Sequence, residues 1–98
     1  MKADLQLPIV HLNGTSISDL REGYDNAAEL LRDFLDAYGR IEFNARDYYP
    51  HGPEAYTKAR DQRDAINLKL REVREYLDAH REHLYSANRH PTATPAAR

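Results

Sequence analysis

The chain has 98 residues, of which 14 are Lys or Arg and 16 are Asp or Glu, and it contains neither Cys nor Trp. This length accommodates one small domain, and the absence of cysteine excludes disulfides and thiolate-based metal or redox sites. The formal net charge of −2 argues against a general nucleic-acid binder. Since Leu, Ile, Val and Phe make up only 19 of the residues, the predicted core is thin.

Residues 4–12 are predicted to form an extended arm. Leu5 and Leu7 alternate with polar neighbours, and Pro8 restricts the segment to a sheet edge or a packed arm. Asn13-Gly14 predicts a turn where the arm ends. The N-terminus has no signal-peptide pattern, and the longest apolar run is far shorter than the ~20 residues that span a bilayer. We therefore expect a cytoplasmic protein with no membrane partner.

The first helix is predicted to run from Ile17 to Tyr38. Thr15 or Ser16 is expected to cap its N-terminus, and Gly39 is expected to end it in the left-handed conformation. Gly23 lies inside the helix at a cost of ~1 kcal/mol relative to Ala, which the close approach of another backbone would explain. Apolar residues follow an unbroken heptad spacing at Ile17, Leu20, Tyr24, Ala27, Leu31, Phe34 and Tyr38.

The second helix is predicted to run from Pro53 to Asn88, with the proline at its first position. Arg63 and His80 interrupt its apolar stripe. Residues 91–98 contain two prolines and are predicted to be a flexible tail, which leaves residues 1–90 as a single domain. The other positions of the stripe are Tyr56, Ala59, Ile66, Leu70, Val73, Leu77, Leu84 and Ala87.

The predicted fold is an all-α antiparallel helical hairpin with a short extended N-terminal arm, because a short loop joins two long helices. The first helix would be ~33 Å long and the second ~54 Å, so part of the second lacks a partner. The continuous heptads, the thin core and this mismatch favour a homo-oligomer, a dimer or larger, that forms a bundle. The alternative is a monomeric hairpin with a frayed helix end.

The connecting loop is the first candidate binding site. Arg46 offers forked donors for phosphate, Tyr48 and Tyr49 offer faces on which a base stacks, and Asp47 and His51 lie among them. This composition suits a phosphorylated aromatic ligand such as a nucleotide. In the structural alternative, both tyrosines close the end of the hairpin core and Arg46 pairs with Asp47.

The turn before the first helix is the second candidate. His11, Asn13, Thr15 and Ser16 place an imidazole, an amide and two hydroxyls at a helix N-terminus, which suits a ribose or a phosphate. The structural alternative, a turn followed by a helix cap, needs only Asn13, the glycine and one hydroxyl. Inside one hairpin the first helix separates this turn from the loop by ~33 Å, so one ligand would need both motifs from different subunits.

No pattern in the sequence predicts catalysis, a metal or a cofactor. His80 and His83 lie three residues apart, but no His-Glu-x-x-His pattern accompanies them, so both are interpreted as solvated helix residues. The serines have no nucleophile-elbow context. A non-enzymatic protein is therefore expected.

Two motifs resemble those of a group of small uncharacterised proteins of tailed bacteriophages. These are His-Leu-Asn-Gly-Thr-Ser at 11–16 and Arg-Asp-Tyr-Tyr-Pro-His-Gly-Pro at 46–53, and the similarity covers about residues 9–88. The resemblance implies a phage or prophage origin. In size and hairpin pattern the chain also resembles the phage anti-defence sponges that sequester nucleotide signals of host immunity.

These expectations give two functional hypotheses. The first is a phage anti-defence protein that binds a small nucleotide-like immune signal in the host cytoplasm and does not transform it. The alternative is a helical adaptor or inhibitor that acts by protein–protein interaction, in phage assembly or on a host protein.

Overall fold

In the computed structural model, which describes residues 4–89 and the side chains of residues 4–86, two long helices form an antiparallel hairpin. Helix α1 spans Ile17–Gly39 and helix α2 spans Ala55–Arg89. The loop between them contains two single-turn 3₁₀ helices at Ala45–Asp47 and Tyr49–His51. The predicted all-α hairpin is confirmed. The predicted tail, residues 91–98, lies outside the described residues.

The N-terminus of α1 is capped as predicted, but its C-terminus is not. The Ser16 hydroxyl accepts a hydrogen bond from the Asp19 N–H at 3.1 Å. Gly39 is still helical, and the capping residue Arg40 is right-handed, with φ −90° and ψ −2°. The left-handed glycine stop was therefore a wrong prediction. The Arg40 N–H instead reaches the Ala37 carbonyl at 3.1 Å, which tightens the last turn and satisfies a free carbonyl.

The start of α2 also differs from the prediction. Pro53 lies in a turn, and the helix begins at Ala55, whose N–H reaches the Gly52 carbonyl at 3.2 Å. Gly52 has φ 126° and ψ 163°, a backbone region open only to glycine. The chain thus uses Gly52 to leave the second 3₁₀ helix, and this change of direction delays the α-helix by two residues.

Side-chain contacts fix the register of the two helices. The rings of Tyr24 and His80 stack with centroids 4.8 Å apart, and the Arg63 guanidinium lies 4.7 Å from the Tyr38 ring centre. Asp25 accepts a hydrogen bond from Arg81 at 2.8 Å. The helices are therefore antiparallel, with the N-terminal end of α1 beside the C-terminal end of α2.

The face of α1 that packs on α2 departs from the predicted heptad stripe. Ala27 and Phe34 belong to that stripe but are exposed, whereas their neighbours Ala28 and Leu35 are half-buried. The stripe positions Tyr24, Leu31 and Tyr38 stay half-buried along the whole helix. Only the second line of contacts moves, by one residue, which is ~100° around the helix.

The most buried part of the hairpin is the C-terminal third of α2. Among the described side chains, Leu84 is 0% and His80 2% exposed. Here α2 is contacted by α1 and by the N-terminal arm, where the Pro8 carbonyl lies 2.7 Å from the His83 ring nitrogen Nε2. The arm is thus packed but is not a strand. The prediction that His80 and His83 are solvated was wrong, because His80 is buried against Tyr24 of α1 and His83 is half-buried beside the arm.

His80 is held by aromatic neighbours and by the helix backbone. Its Nδ1 lies 2.8 Å from the Tyr76 carbonyl, and its ring centroid lies 4.2 Å from that of Tyr76. Burial raises the pKa of the Tyr24 hydroxyl, and a hydrogen bond with Tyr76 raises it further. The polar residue that interrupts the predicted stripe is therefore part of the core.

The extra length of α2 is covered by the connecting loop. Phe43 and Tyr48 from the loop pack with Tyr56 of α2 at centroid distances of 5.5 to 6.2 Å. Arg63 lies over Phe43 at 4.8 Å and reaches the Tyr38 carbonyl at 3.5 Å. The length mismatch therefore does not by itself require a second subunit. Neither described helix has an apolar stretch long enough to cross a membrane.

Candidate functional site

The connecting loop separates its two adjacent tyrosines. Tyr48 is half-buried in the cluster with Phe43 and Tyr56, which is the placement of the structural alternative. Tyr49 lies outside this cluster and is 63% exposed. The first tyrosine therefore anchors the loop, and only the second presents a free ring face.

Three polar residues of the loop accompany Tyr49 at the surface. Arg46, Asp47 and His51 are all exposed. The structural alternative predicted an ion pair between Arg46 and Asp47. The ion pairs of the described residues do not include this pair. A guanidinium fork and a free aromatic ring thus lie within four residues of each other on an anchored loop.

The turn before α1 is closed by the Gly14 N–H, which donates to the His11 carbonyl at 3.1 Å. The His11 ring lies so close to Gly14 that a Cβ there would sit 2.8 Å from Nε2. Ser16 is occupied by its capping hydrogen bond, whereas Asn13 and Thr15 are exposed. The helix cap is therefore the one that the structural alternative, a turn followed by a cap, predicted. The His11 imidazole can lie against the turn because Gly14 has no side chain.

The two candidate motifs lie at opposite ends of α1. The helix has 23 residues, so it spans ~34 Å. A single chain does not bring His11, Asn13, Thr15 and Ser16 to the loop residues Arg46, Asp47, Tyr48, Tyr49 and His51.

A groove on one side of the hairpin was not predicted. It has a volume of about 540 Å³ and lies between α1 and α2. Ala28, Leu31, Leu35 and Leu77 form its apolar floor. Charged side chains of both signs form its rim: Asp25, Glu29, Arg32, Asp36, Arg74, Asp78 and Arg81.

Asp25 is the centre of the polar network at one end of this groove. Its carboxylate accepts hydrogen bonds from the Tyr85 hydroxyl at 2.5 Å and from Arg81 at 2.8 Å. These two bonds hold the pKa of the Asp25 carboxyl below its ordinary value, with the Tyr85 bond contributing most. Arg21 lies 3.9 Å from the Tyr85 ring centre. The network clamps α1 to α2.

The opposite side of the hairpin carries a second unpredicted feature, which we call the apolar flank. Residues two positions apart lie ~160° apart around a helix, so Leu30 and Phe34 face away from the groove residues Arg32 and Asp36. Leu30 is 67% and Phe34 49% exposed. The apolar flank consists of Gly23, Ala27, Leu30, Phe34 and Ala37 on α1 and of Ile66, Val73 and Tyr76 on α2.

The apolar flank is continuous across the two helices. Val73 and Tyr76 are 46% and 45% exposed. The register set by the Tyr24–His80 and Tyr38–Arg63 contacts places Leu30 level with Val73. The sequence signal was the uncharged line on α1 at spacings of four and three residues, parallel to the stripe that was assigned to the core.

No protein-family model, curated protein or solved structure matches this chain. The resemblance to phage proteins therefore stays a hypothesis from the two sequence motifs. Within residues 4–89, no three His, Asp or Glu side chains converge in a way that would hold a metal ion.

Proposed function

We propose that this chain is a non-enzymatic interaction protein, a helical adaptor whose binding surface is the apolar flank. The observation that carries the proposal is the alignment of exposed apolar side chains from both helices on one side of the hairpin. Contiguous apolar surface of this kind is typical of protein-binding sites on small soluble domains.

The energetics support this assignment. Burial of apolar surface contributes about 25 cal/mol per Å², so covering Leu30, Phe34 and Val73 provides several kcal/mol for association. The α1 part of the flank carries no charged side chain, so a partner displaces no tightly hydrated group from it. The groove side, in contrast, is lined mainly by charged residues.

A photo-crosslinking experiment tests the proposal. A benzophenone analogue of phenylalanine replaces Phe34 in one variant and Leu68 in another, and each variant is irradiated in the cells that produce it. The two positions have similar exposures of 49% and 48%, but Leu68 lies ~160° from the flank residue Ile66 around α2. We expect a discrete polypeptide adduct from position 34 and none from position 68, detected by gel and mass spectrometry. Absence of any adduct at position 34 would contradict the proposal.

A second candidate function is sequestration of a nucleotide-like ligand by the loop, as in a phage anti-defence protein of the host cytoplasm. The specific observation in its favour is the exposed pair Arg46 and Tyr49, held in place by the packed Tyr48. Stacking of a base on Tyr49 would contribute ~1–3 kcal/mol, and the Arg46 fork would bind a phosphate.

Calorimetric titration with a cyclic dinucleotide tests this second candidate. We expect binding by the unmodified chain, loss of at least ~10-fold in affinity for Tyr49→Ala and for Arg46→Ala, and recovery of the intact nucleotide after denaturation. Arg71→Ala, an exposed arginine on α2 far from the loop, is the matched control and should bind normally. Equal affinities for all four proteins would exclude the loop as the site.

A further inference from the structure

We infer that the occupant of the apolar flank is the same flank of a second copy, in a four-helix bundle with both connecting loops at one end. In this arrangement α1 of each copy lies against α2 of the other. The inference rests on the proposed function, since it names the partner of that surface.

Burial changes along the apolar stripe of α2. Leu84 and His80 are fully buried where α1 and the N-terminal arm both contact the helix. Farther along the same stripe, Val73 and Ile66 are 46% and 44% exposed. The stripe is still apolar at these two positions, but α1 covers it from one side only and the other side is exposed. A second layer of helices would complete for Val73 and Ile66 the burial that Leu84 already has.

Gly23 lies on the α1 part of the apolar flank. A Cβ built on this residue has no neighbour within 4 Å, so nothing in the described part of the chain requires a glycine there. Glycine in a helix interior nevertheless lowers the stability of the helix by ~1 kcal/mol relative to alanine. In the bundle, Gly23 of one copy lies within about one turn of the level of Tyr76 in the other. The half-exposed Tyr76 ring then has space against the bare backbone.

The charges of the two helices decide the orientation. Helix α1 has six acidic residues and two Arg, whereas α2 has six acidic residues and eight Lys or Arg. A two-fold axis across the bundle would place α1 against α1 and the two acidic helices together. A two-fold axis along the bundle places α1 against α2 and pairs opposite charges. Asp33 beside Phe34 is then level with Lys69, which borders the flank on the partner helix.

The available area is sufficient. A contact along the ~34 Å of α1 and across two helix widths of ~20 Å covers about 700 Å² per copy. A standard specific interface buries ~800 Å² per partner. Among the described residues α1 and α2 are the only α-helices, so no third α-helix covers this side.

This orientation has a consequence for the candidate ligand sites. One ligand that uses both motifs needs the His11–Ser16 turn of one copy beside the loop of the other, which requires loops at opposite ends. With both loops at the same end, the two motifs stay ~34 Å apart in the dimer. A ligand would then lie between two copies of Arg46 and Tyr49, with one site per dimer.

Light scattering tests the dimer. We expect a mass of twice 11.3 kDa for the unmodified chain and for Leu68→Lys, and 11.3 kDa for Ile66→Lys at the same micromolar concentration. Ile66 and Leu68 are two residues apart on α2 and are 44% and 48% exposed. Both variants therefore lose an apolar side chain of similar exposure, and they differ in the face of α2 that carries the lysine. Circular dichroism shows whether each variant keeps its helices. A folded, unmodified monomer would overturn the inference.

Spin-label distances test the orientation. Since the chain has no cysteine, His51→Cys and Asn13→Cys each give one label per copy. We expect label-to-label distances below ~35 Å for both variants, because each motif meets its own counterpart across the bundle. A distance near ~50 Å for His51→Cys would show loops at opposite ends and would overturn the proposed orientation.

The outcomes separate this inference from the proposed function. A monomer that crosslinks through position 34 to a different polypeptide overturns the self-association but leaves the flank as an interaction surface. A monomer that forms no adduct contradicts both. A dimer that survives Ile66→Lys with its helices intact places the contact elsewhere and overturns the inference.

Discussion

Leu84→Ala should lower the free energy of unfolding by about 3 kcal/mol, the largest expected effect of any truncation of an apolar residue here. Leu84 is the one completely buried apolar side chain among those described, at 0% exposure. Removing a buried leucine costs the transfer energy of the lost methylene groups plus the cavity left behind, typically ~2–5 kcal/mol. A small domain with a thin core has a small total free energy of unfolding, so a loss of this size is easy to detect. Urea denaturation followed by circular dichroism measures the change.

Leu12→Ala is the matched control for this experiment. Leu12 is 97% exposed in the turn before α1, so the same chemical change should leave the unfolding free energy within ~0.5 kcal/mol. If the two variants had similar stabilities, the C-terminal third of α2 would not be the centre of the core. A midpoint for Leu84→Ala equal to that of the unmodified chain would contradict the complete burial of Leu84.

His80→Ala should cost about 2–3 kcal/mol, more than any other histidine substitution in the described chain. The ring is 2% exposed and lies between Tyr24 and Tyr76, with centroid distances of 4.8 and 4.2 Å. Its removal loses two aromatic contacts, each worth ~0.5–1.5 kcal/mol, and leaves a cavity next to Leu84. Thermal denaturation of the two proteins at equal concentration measures this loss.

Two further variants separate the contributions of the His80 ring. His80→Phe keeps an aromatic ring but loses the Nδ1 contact with the Tyr76 carbonyl, so it should recover most of the stability that His80→Ala loses. His51→Ala removes an exposed imidazole and should change little. If His80→Phe were as unstable as His80→Ala, the hydrogen bond rather than the stacking would hold the core together.

The two candidate functions make different demands on the hairpin. The adaptor function needs the apolar flank between Ile66 and Tyr76 and is indifferent to the chemistry of the loop. The ligand function needs Arg46 and Tyr49 and uses the flank only to bring two loops together. Tyr49→Ala therefore tests the ligand function alone, because it acts only on the exposed loop. Ile66→Lys acts on assembly and would also separate the two loops of a ligand site shared by a dimer.

The features that the sequence by itself determined are local. The sequence predicted a hydroxyl cap on α1 from Thr15 or Ser16, because a hydroxyl and a backbone N–H three residues later are neighbours in any helix start, and the cap is Ser16. The two helices follow from apolar residues repeated every three or four positions, and the short loop makes them antiparallel. The predicted helix ends lie within two residues of those observed, since each end depends on a few consecutive residues.

Only the tertiary structure decided which side chains are covered. Tyr48 and Tyr49 are adjacent and chemically identical, yet one packs on Phe43 and Tyr56 and the other is exposed, because the 3₁₀ turns rotate them apart. The sequence predicts that His80 is solvated, and only the packing of α1 on α2 shows that it is buried. Which flank of the helices stays apolar and open depends on how α1 rotates against α2, and that rotation is the sum of many long-range contacts that no short segment encodes.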